Sequence, residues 1–317
     1  MRVAAVVPCT GGKVGDGPEV ALRDVDPGLS TGERAVRWMD RAVAAPPLGA
    51  ARDVYKGPGW SAALRLIAAL KAAASQVEWR ILSAGYGLLR PEDHVARYSA
   101  TFLAAHEDSV HGTVGGENVA GDWWAAINRL RGQPQPLAKL ASEVDGLVVA
   151  ASASYVDAVA EELVRAADRV PTVVFCAGRP RDRDVAPLAP PFDRRLREGP
   201  EPFVQGGDVG FNQRVATRVV EVLGTTVVDR PQVEQLLTSA MDREQAVRYK
   251  RRVASDAEVM AFIAEALVID PSASRTGLLR QWRDAGGACE QRRFAGLYEL
   301  VVEEHSVQLR PKETTCG

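Results

Sequence analysis

The 317-residue chain is 46% hydrophobic and 25% charged, with a formal net charge of −2, an ordinary globular composition long enough for two domains. That charge balance excludes a global basic field, so any nucleic-acid surface must be local. No apolar run approaches the roughly 20 residues of a membrane span, and "MRVAAVVPCTGG" is too short and too soon polar for a secretory signal, which predicts a cytoplasmic protein with no membrane partner.

In chain order, "RVAAVVP" reads as a strand, "GWSAALRLIAALKAAA" as an amphipathic helix, and "VEWRILSAG" and "DGLVVAAS" as strands. "SYVDAVAEELVRAA" then has helical spacing, "PTVVFCAG" is β-branched, and a further helix starts near Phe211. The rhythm predicts an α/β fold in three layers, a mostly parallel sheet flanked by helices, over residues 1–225. The polar stretches at about 10–30 and 178–205 exceed ordinary connectors and predict lids or mobile binding loops. Beyond Leu223, "PQVEQLLTSAM", "REQAVRYKRRV", "DAEVMAFIAEALVI" and the segment from Ser272 to Glu304 all have helical spacing. They predict an all-helical domain over 226–317. Its last segment splits at Gly286-Gly287 into a helix-turn-helix-like pair bearing Arg280 and Arg292 among other arginines, which suits either nucleic-acid contact or a solvated face.

Cys9, Cys176, Cys289 and Cys316 are far apart and form no C-x-x-C pair, so neither a zinc site, a disulfide framework nor thiol chemistry is expected. His94, His106 and His111 fit no zinc spacing, and no metal or cofactor is expected.

In open parallel sheets, ligands bind beyond the carboxyl ends of the strands. This chain loads those ends with polar residues. The first strand runs into Thr10, Gly11, Gly12 and Lys13; another into Ser83 and the Gly85-Tyr86-Gly87 break, with Asp93 and Tyr98 following. A third runs into Ser152, Ser154 and Tyr155, and a fourth into Gly178 and Arg179. "CTGGK" is not a phosphate-binding loop, because Val14 follows the lysine and no Gly stands five residues before Gly12. Ser152 and Ser154 serve equally well as helix caps, and each Asp as a cap or a solvated turn.

The combination "VVPCTGGK", "DVYKGPGW" with Tyr55, "WRILSAGYGLLRPEDHVARYSATF" and "LVVAASASYVDAV" resembles a bacterial domain family similar to the base-binding domains of archaeosine-type tRNA-guanine transglycosylases. More loosely it resembles the uracil-DNA glycosylase superfamily. With its arginine-bearing helical tail, the chain is also similar to anti-phage DNA glycosylases that excise glucosylated hydroxymethylcytosine. The likeness covers about residues 1–225; the stretch at 14–50 and the Arg/Pro-rich stretch at 179–202 depart from it. It implies excision of a modified base from DNA, leaving an abasic site, in antiviral defence.

Such chemistry needs donors toward the departing base, a carboxylate or oriented water toward the sugar, and an aromatic wall for the extruded base. Tyr86 and Tyr98 suit the wall, and Thr10, Lys13, Ser83 and Ser152 the donors. Asp93, Asp53 and Asp208 are the candidate carboxylates, and Asn212 suits orientation of a water or a base edge. Arg179 and its neighbours would follow a phosphate backbone, while "GDWWAAINRL" is expected to bury one tryptophan and expose the other. Two alternatives stay open: a transglycosylase-like enzyme or nucleoside hydrolase, with tRNA as the partner in place of DNA, and a non-catalytic DNA-binding protein resembling the peroxide-stress protein YaaA.

Overall fold

The computed structural model describes residues 1–15, 18–114, 116, 118–178, 180–198, 201–243 and 252–308. The chain divides into two compact units, Met1–Ala246 and Val247–Gly317. Among the described residues no helix is long and apolar enough to cross a membrane.

The first unit is built from β1 (Arg2–Pro8), β2 (Val20–Ala21), α1 (Thr31–Ala44), β3 (Pro47–Ala50), α2 (Ala51–Val54), α3 (Pro58–Ala73), β4 (Gln76–Ser83) and β5 (Gly87–Leu89). It continues with β6 (His94–Ala96), β7 (Tyr98–Ser99), α4 (Val119–Leu130), α5 (Pro136–Ala141), β8 (Gly146–Ala150), α6 (Ala153–Ala158), α7 (Ala160–Ala167), β9 (Thr172–Phe175), α8 (Phe211–Leu223) and α9 (Arg230–Asp242). The fold is mixed α/β, with a five-stranded sheet in the order β5-β4-β1-β8-β9. The last four strands of that order run parallel and β5 turns back antiparallel on β4. Val3 to Val7 are all buried, the continuous apolar run of a strand covered on both faces. Because four strands are parallel, Pro8, Ser83, Ala150 and Phe175 end at one edge, and the polar loops bearing Lys13, Tyr86, Ser152 and Gly178 start there.

Both long polar stretches are packed. Leu22 and Val25 of the first reach the core, and Val20 and Leu29 pack against it. Buried Arg34 of α1 joins that stretch to a later loop, donating to the carbonyls of Leu22 at 3.5 Å, Ser109 at 3.1 Å and Val110 at 2.8 Å. Val185, Phe192, Leu196 and Val204 anchor the second. Two of its cations pair locally, Arg195 with Asp193 at 3.0 Å and Arg197 with Asp208 at 2.9 Å. The apolar residues scattered among the charges pack these segments against the core.

The segment read as one helix from Ser154 to Ala167 is two, broken at Val159. The boundary between units falls about twenty residues beyond the expected 225, because α9 buries Val233, Leu237, Ala240 and Met241 in the first core.

The second unit contains β10 (Arg252–Val253), α10 (Asp256–Ile269), α11 (Arg275–Asp284), β11 (Gly287–Ala288) and α12 (Gln291–Gln308). Where helices alone are expected, β10 and β11 pair in parallel, and most of the helix expected at 243–253 lies outside the described residues. Ser255 with Glu258 forms a capping box on α10, and Ser274 caps α11. Val259, Ile263, Leu278, Trp282 and Phe294 make the core of this unit.

Candidate active site at the carboxyl edge of the sheet

The loop after β1 is zipped to the Val54–Lys56 segment. Val14 N–H donates to the Val54 carbonyl at 2.8 Å and Lys56 N–H to the Gly12 carbonyl at 3.0 Å. The Thr10 hydroxyl reaches the carbonyls of Gly12 at 3.1 Å and Lys56 at 3.0 Å. Thr10 therefore spends its proton on shaping the loop. The pairing sets Lys13 opposite Tyr55 and turns the lysine inward, where it is only 7% exposed.

Inside, hydroxyls form a relay. Tyr55 and Tyr98 share a hydrogen bond of 2.8 Å, and Tyr98 and Ser83 one of 2.6 Å. Ser83 Oγ also accepts the N–H groups of Gly85 at 3.2 Å and Tyr86 at 3.0 Å. With both lone pairs taken, Ser83 must donate its own proton to Tyr98, which then donates to Tyr55. The relay thus delivers a donor at Tyr55. Burial, and after it the nearby Cys9 thiol, pushes the Tyr55 and Tyr98 phenols well above their ordinary range, so both keep their protons.

Lys13 Nζ lies 4.0 Å from the centre of the Tyr98 ring and 5.7 Å from that of Tyr55. Its hydrogen bonds are two long ones, 3.4 Å each, to the carbonyls of Thr10 and Gly11. Among the described residues it has no ion pair. Glu19 and Asp108, whose charges reach it, are paired with Arg23 at 3.7 and 2.6 Å. Burial dominates and holds the Lys13 ammonium below its ordinary pKa, against the smaller opposing influence of Cys9, Glu19 and Asp108.

Cys9, half-buried, faces the same space, with its Sγ 3.9 Å from the Tyr155 hydroxyl. Tyr155 sets its ring edge-on to Phe102 at 5.0 Å, and its phenol is likewise pushed well up by burial first and Cys9 second. Ser152 and Ser154 stand at the rim, bonded to each other at 3.2 Å; Ser152 occupies the N-cap position of α6 without a capping bond.

The remaining candidates lie elsewhere or serve the fold. Tyr86 is buried, with its hydroxyl donating to the Ala42 carbonyl and accepting from Ala96 N–H, both at 3.2 Å. A stacking wall of Tyr86 and Tyr98 is therefore not open, since Tyr86 packs edge-on against Tyr98 at 5.0 Å and Lys13 lies over the Tyr98 ring. Asp93 accepts from Arg90 N–H at 2.9 Å and pairs with Arg131 at 3.0 Å, closing the loop after β5. Asp208 is exposed and paired with Arg197, and Asp53, also exposed, pairs with Arg52 at 3.4 Å. Asn212 donates to the Ala151 carbonyl at 2.7 Å and accepts from Ala177 N–H at 2.9 Å, tying together the ends of β8 and β9. Trp123 and Trp124 are both buried; their ring N–H groups donate to the Ala84 carbonyl and to Glu162, each at 2.7 Å. Arg179 lies outside the described residues, and Arg280 and Arg292 are exposed in the second unit.

Cys9 is the member of the cluster that sequence reasoning set aside. Cysteine spacing carries no signal for a thiol used singly, although its place at the end of β1 was readable. The cluster now holds a desolvated amine, a thiol and three phenols within a largely water-excluded space, an arrangement that can donate protons to a polar ligand or present an uncharged amine to an electrophile. Compared with protein-family models, curated proteins and solved structures, the chain matches none.

Proposed function

We propose that the first unit is a DNA glycosylase that cleaves the N-glycosidic bond of a modified base, glucosylated hydroxymethylcytosine being the first candidate, and leaves an abasic site. The observation that carries this reading is buried Lys13, without an ion pair among the described residues, lying over Tyr98 beside a hydroxyl relay that ends at Tyr55. A departing base gathers negative charge, and a desolvated ammonium with phenolic donors beside it stabilises that charge more in the transition state than in the ground state. The four sequence segments behind the likeness to base-binding domains support the same reading. They converge on this cluster: Lys13 from the first, Tyr55 from the second, Ser83 and Tyr98 from the third, Tyr155 from the fourth.

The second unit is proposed to hold the nucleic acid. α11 and α12 are joined by a short turn in the manner of a helix-turn-helix, and Arg275, Arg280 and Arg283 line a cavity of about 300 Å³ on it. Phosphate contacts there would make binding salt-dependent, with a slope of about 0.9 per contact.

The test is to incubate the full chain with unmodified, hydroxymethylated and glucosylated DNA and with tRNA, then measure released base and alkali-labile sites. Release from a modified DNA is expected, falling by about 100-fold or more in Lys13→Met. Base exchange into tRNA alone would favour the transglycosylase reading. Binding with no base lost from any substrate would leave a non-catalytic DNA-binding protein.

A further inference from the structure

We propose that Lys13 is a nucleophile that forms an imine with the aldehyde of an abasic deoxyribose, so that the enzyme holds its product covalently. The inference rests on the glycosylase reading for its carbonyl, because removal of a base turns C1′ into a hemiacetal in equilibrium with the open aldehyde.

Four properties of the site meet what imine formation requires. The amine must shed its proton, and Lys13 is buried with no ion pair among the described residues. It must not be locked by strong hydrogen bonds, and its two contacts to carbonyls are 3.4 Å long. An acid must help the carbinolamine oxygen leave, and the relay through Ser83 and Tyr98 directs a proton donor to Tyr55, whose ring centre is 5.7 Å from Nζ. The amine must also be reachable. Its nitrogen lies 3.4 Å from the Gly11 carbonyl, Gly11 and Gly12 are both exposed, and the side-chain position of Gly11 has no neighbour within 4 Å.

The step balances without any redox partner. The Nζ lone pair forms the N–C1′ bond, and one amine proton moves to the carbonyl oxygen to give the carbinolamine. The C1′–O bond then breaks, and the oxygen leaves as water with the second amine proton, exchanged through Tyr55. The product is a C=N bond between Lys13 and the sugar; hydrolysis returns both.

The test uses the full chain and duplex DNA carrying a preformed abasic site, so that no base need be excised. Sodium cyanoborohydride reduces any imine to a stable secondary amine, which appears as a DNA-protein adduct on a denaturing gel and is located by peptide mass spectrometry. The expected result is an adduct on Lys13 and its loss in Lys13→Met with an unchanged circular dichroism spectrum. Mapping on the unaltered chain decides the matter even if that variant does not fold. Absence of an adduct, or one located on the amino terminus or on any lysine other than Lys13, overturns the proposal. Base release without trapping removes the imine and keeps the glycosylase; trapping at Lys13 without base release from any substrate keeps the imine and removes the glycosylase.

Discussion

Tyr98→Phe isolates the relay from its packing. The ring stays, and with it the surface on which Lys13 rests at 4.0 Å from the centroid, while the hydroxyl that links Ser83 at 2.6 Å and Tyr55 at 2.8 Å is deleted. Because Ser83 Oγ already accepts two N–H groups, its proton loses its acceptor, and the buried Tyr55 hydroxyl loses the Tyr98 partner as well. Stranding two buried polar groups at about 1–2 kcal/mol each predicts a loss of about 2–4 kcal/mol. Tyr55→Phe strands only the Tyr98 proton and should cost about 1–2 kcal/mol. Urea unfolding followed by tryptophan fluorescence reads the first unit, since five of the six tryptophans lie there and only Trp282 in the second. A loss in Tyr98→Phe no greater than in Tyr55→Phe would refute the bridging of Ser83 and Tyr55 by the Tyr98 hydroxyl.

Lys13→Met keeps the stem and removes the amine. In the wild type the folded state gives up the Lys13 proton below the unfolded value of 10.5, so between the lowered pKa and that value the unfolded chain binds more protons and stability rises with pH. The variant should lack this slope, so its stability relative to wild type should be highest near neutrality and shrink toward pH 10 in parallel melts. Asn212→Ala leaves Ala177 N–H and the Ala151 carbonyl without their partner and should cost about 1–3 kcal/mol in urea unfolding. Asp93→Ala, which opens the loop held to Arg131, should cost about 1–2 kcal/mol, whereas Asp208→Ala at the exposed pair with Arg197 should change stability by no more than about 0.5 kcal/mol. Gly85→Ala would place a methyl carbon 2.6 Å from the Tyr98 ring and should cost about 1–3 kcal/mol in the same assay.

The α/β alternation, the parallel strands and the loaded carboxyl edge were legible in the chain itself, because parallel strands buried on both faces must be written as unbroken apolar runs that stop where the polar loops begin. The Gly85-Tyr86-Gly87 break was legible as a turn. Its purpose was decided by the fold: Gly85 lets the Tyr98 ring pass where a side chain would stand, and Gly87 takes a φ of 68° beside Asn128. Local pattern could nominate Tyr86, Asp93, Asp208 and Asn212 as readily as Lys13, since each is a polar residue in a polar loop. Which of them is spent on holding the chain and which is left facing a shared space depends on partners distant in sequence, as Asn212 binding the Ala151 carbonyl 61 residues away illustrates. Cys9 shows the same division from the other side: its chemistry carries no spacing signal, and only the meeting of β1 with the loops bearing Tyr55, Tyr98 and Tyr155 sets a thiol among phenols. Burial, and hence the lowered affinity of Lys13 for its proton, is a property of that meeting and of no segment alone.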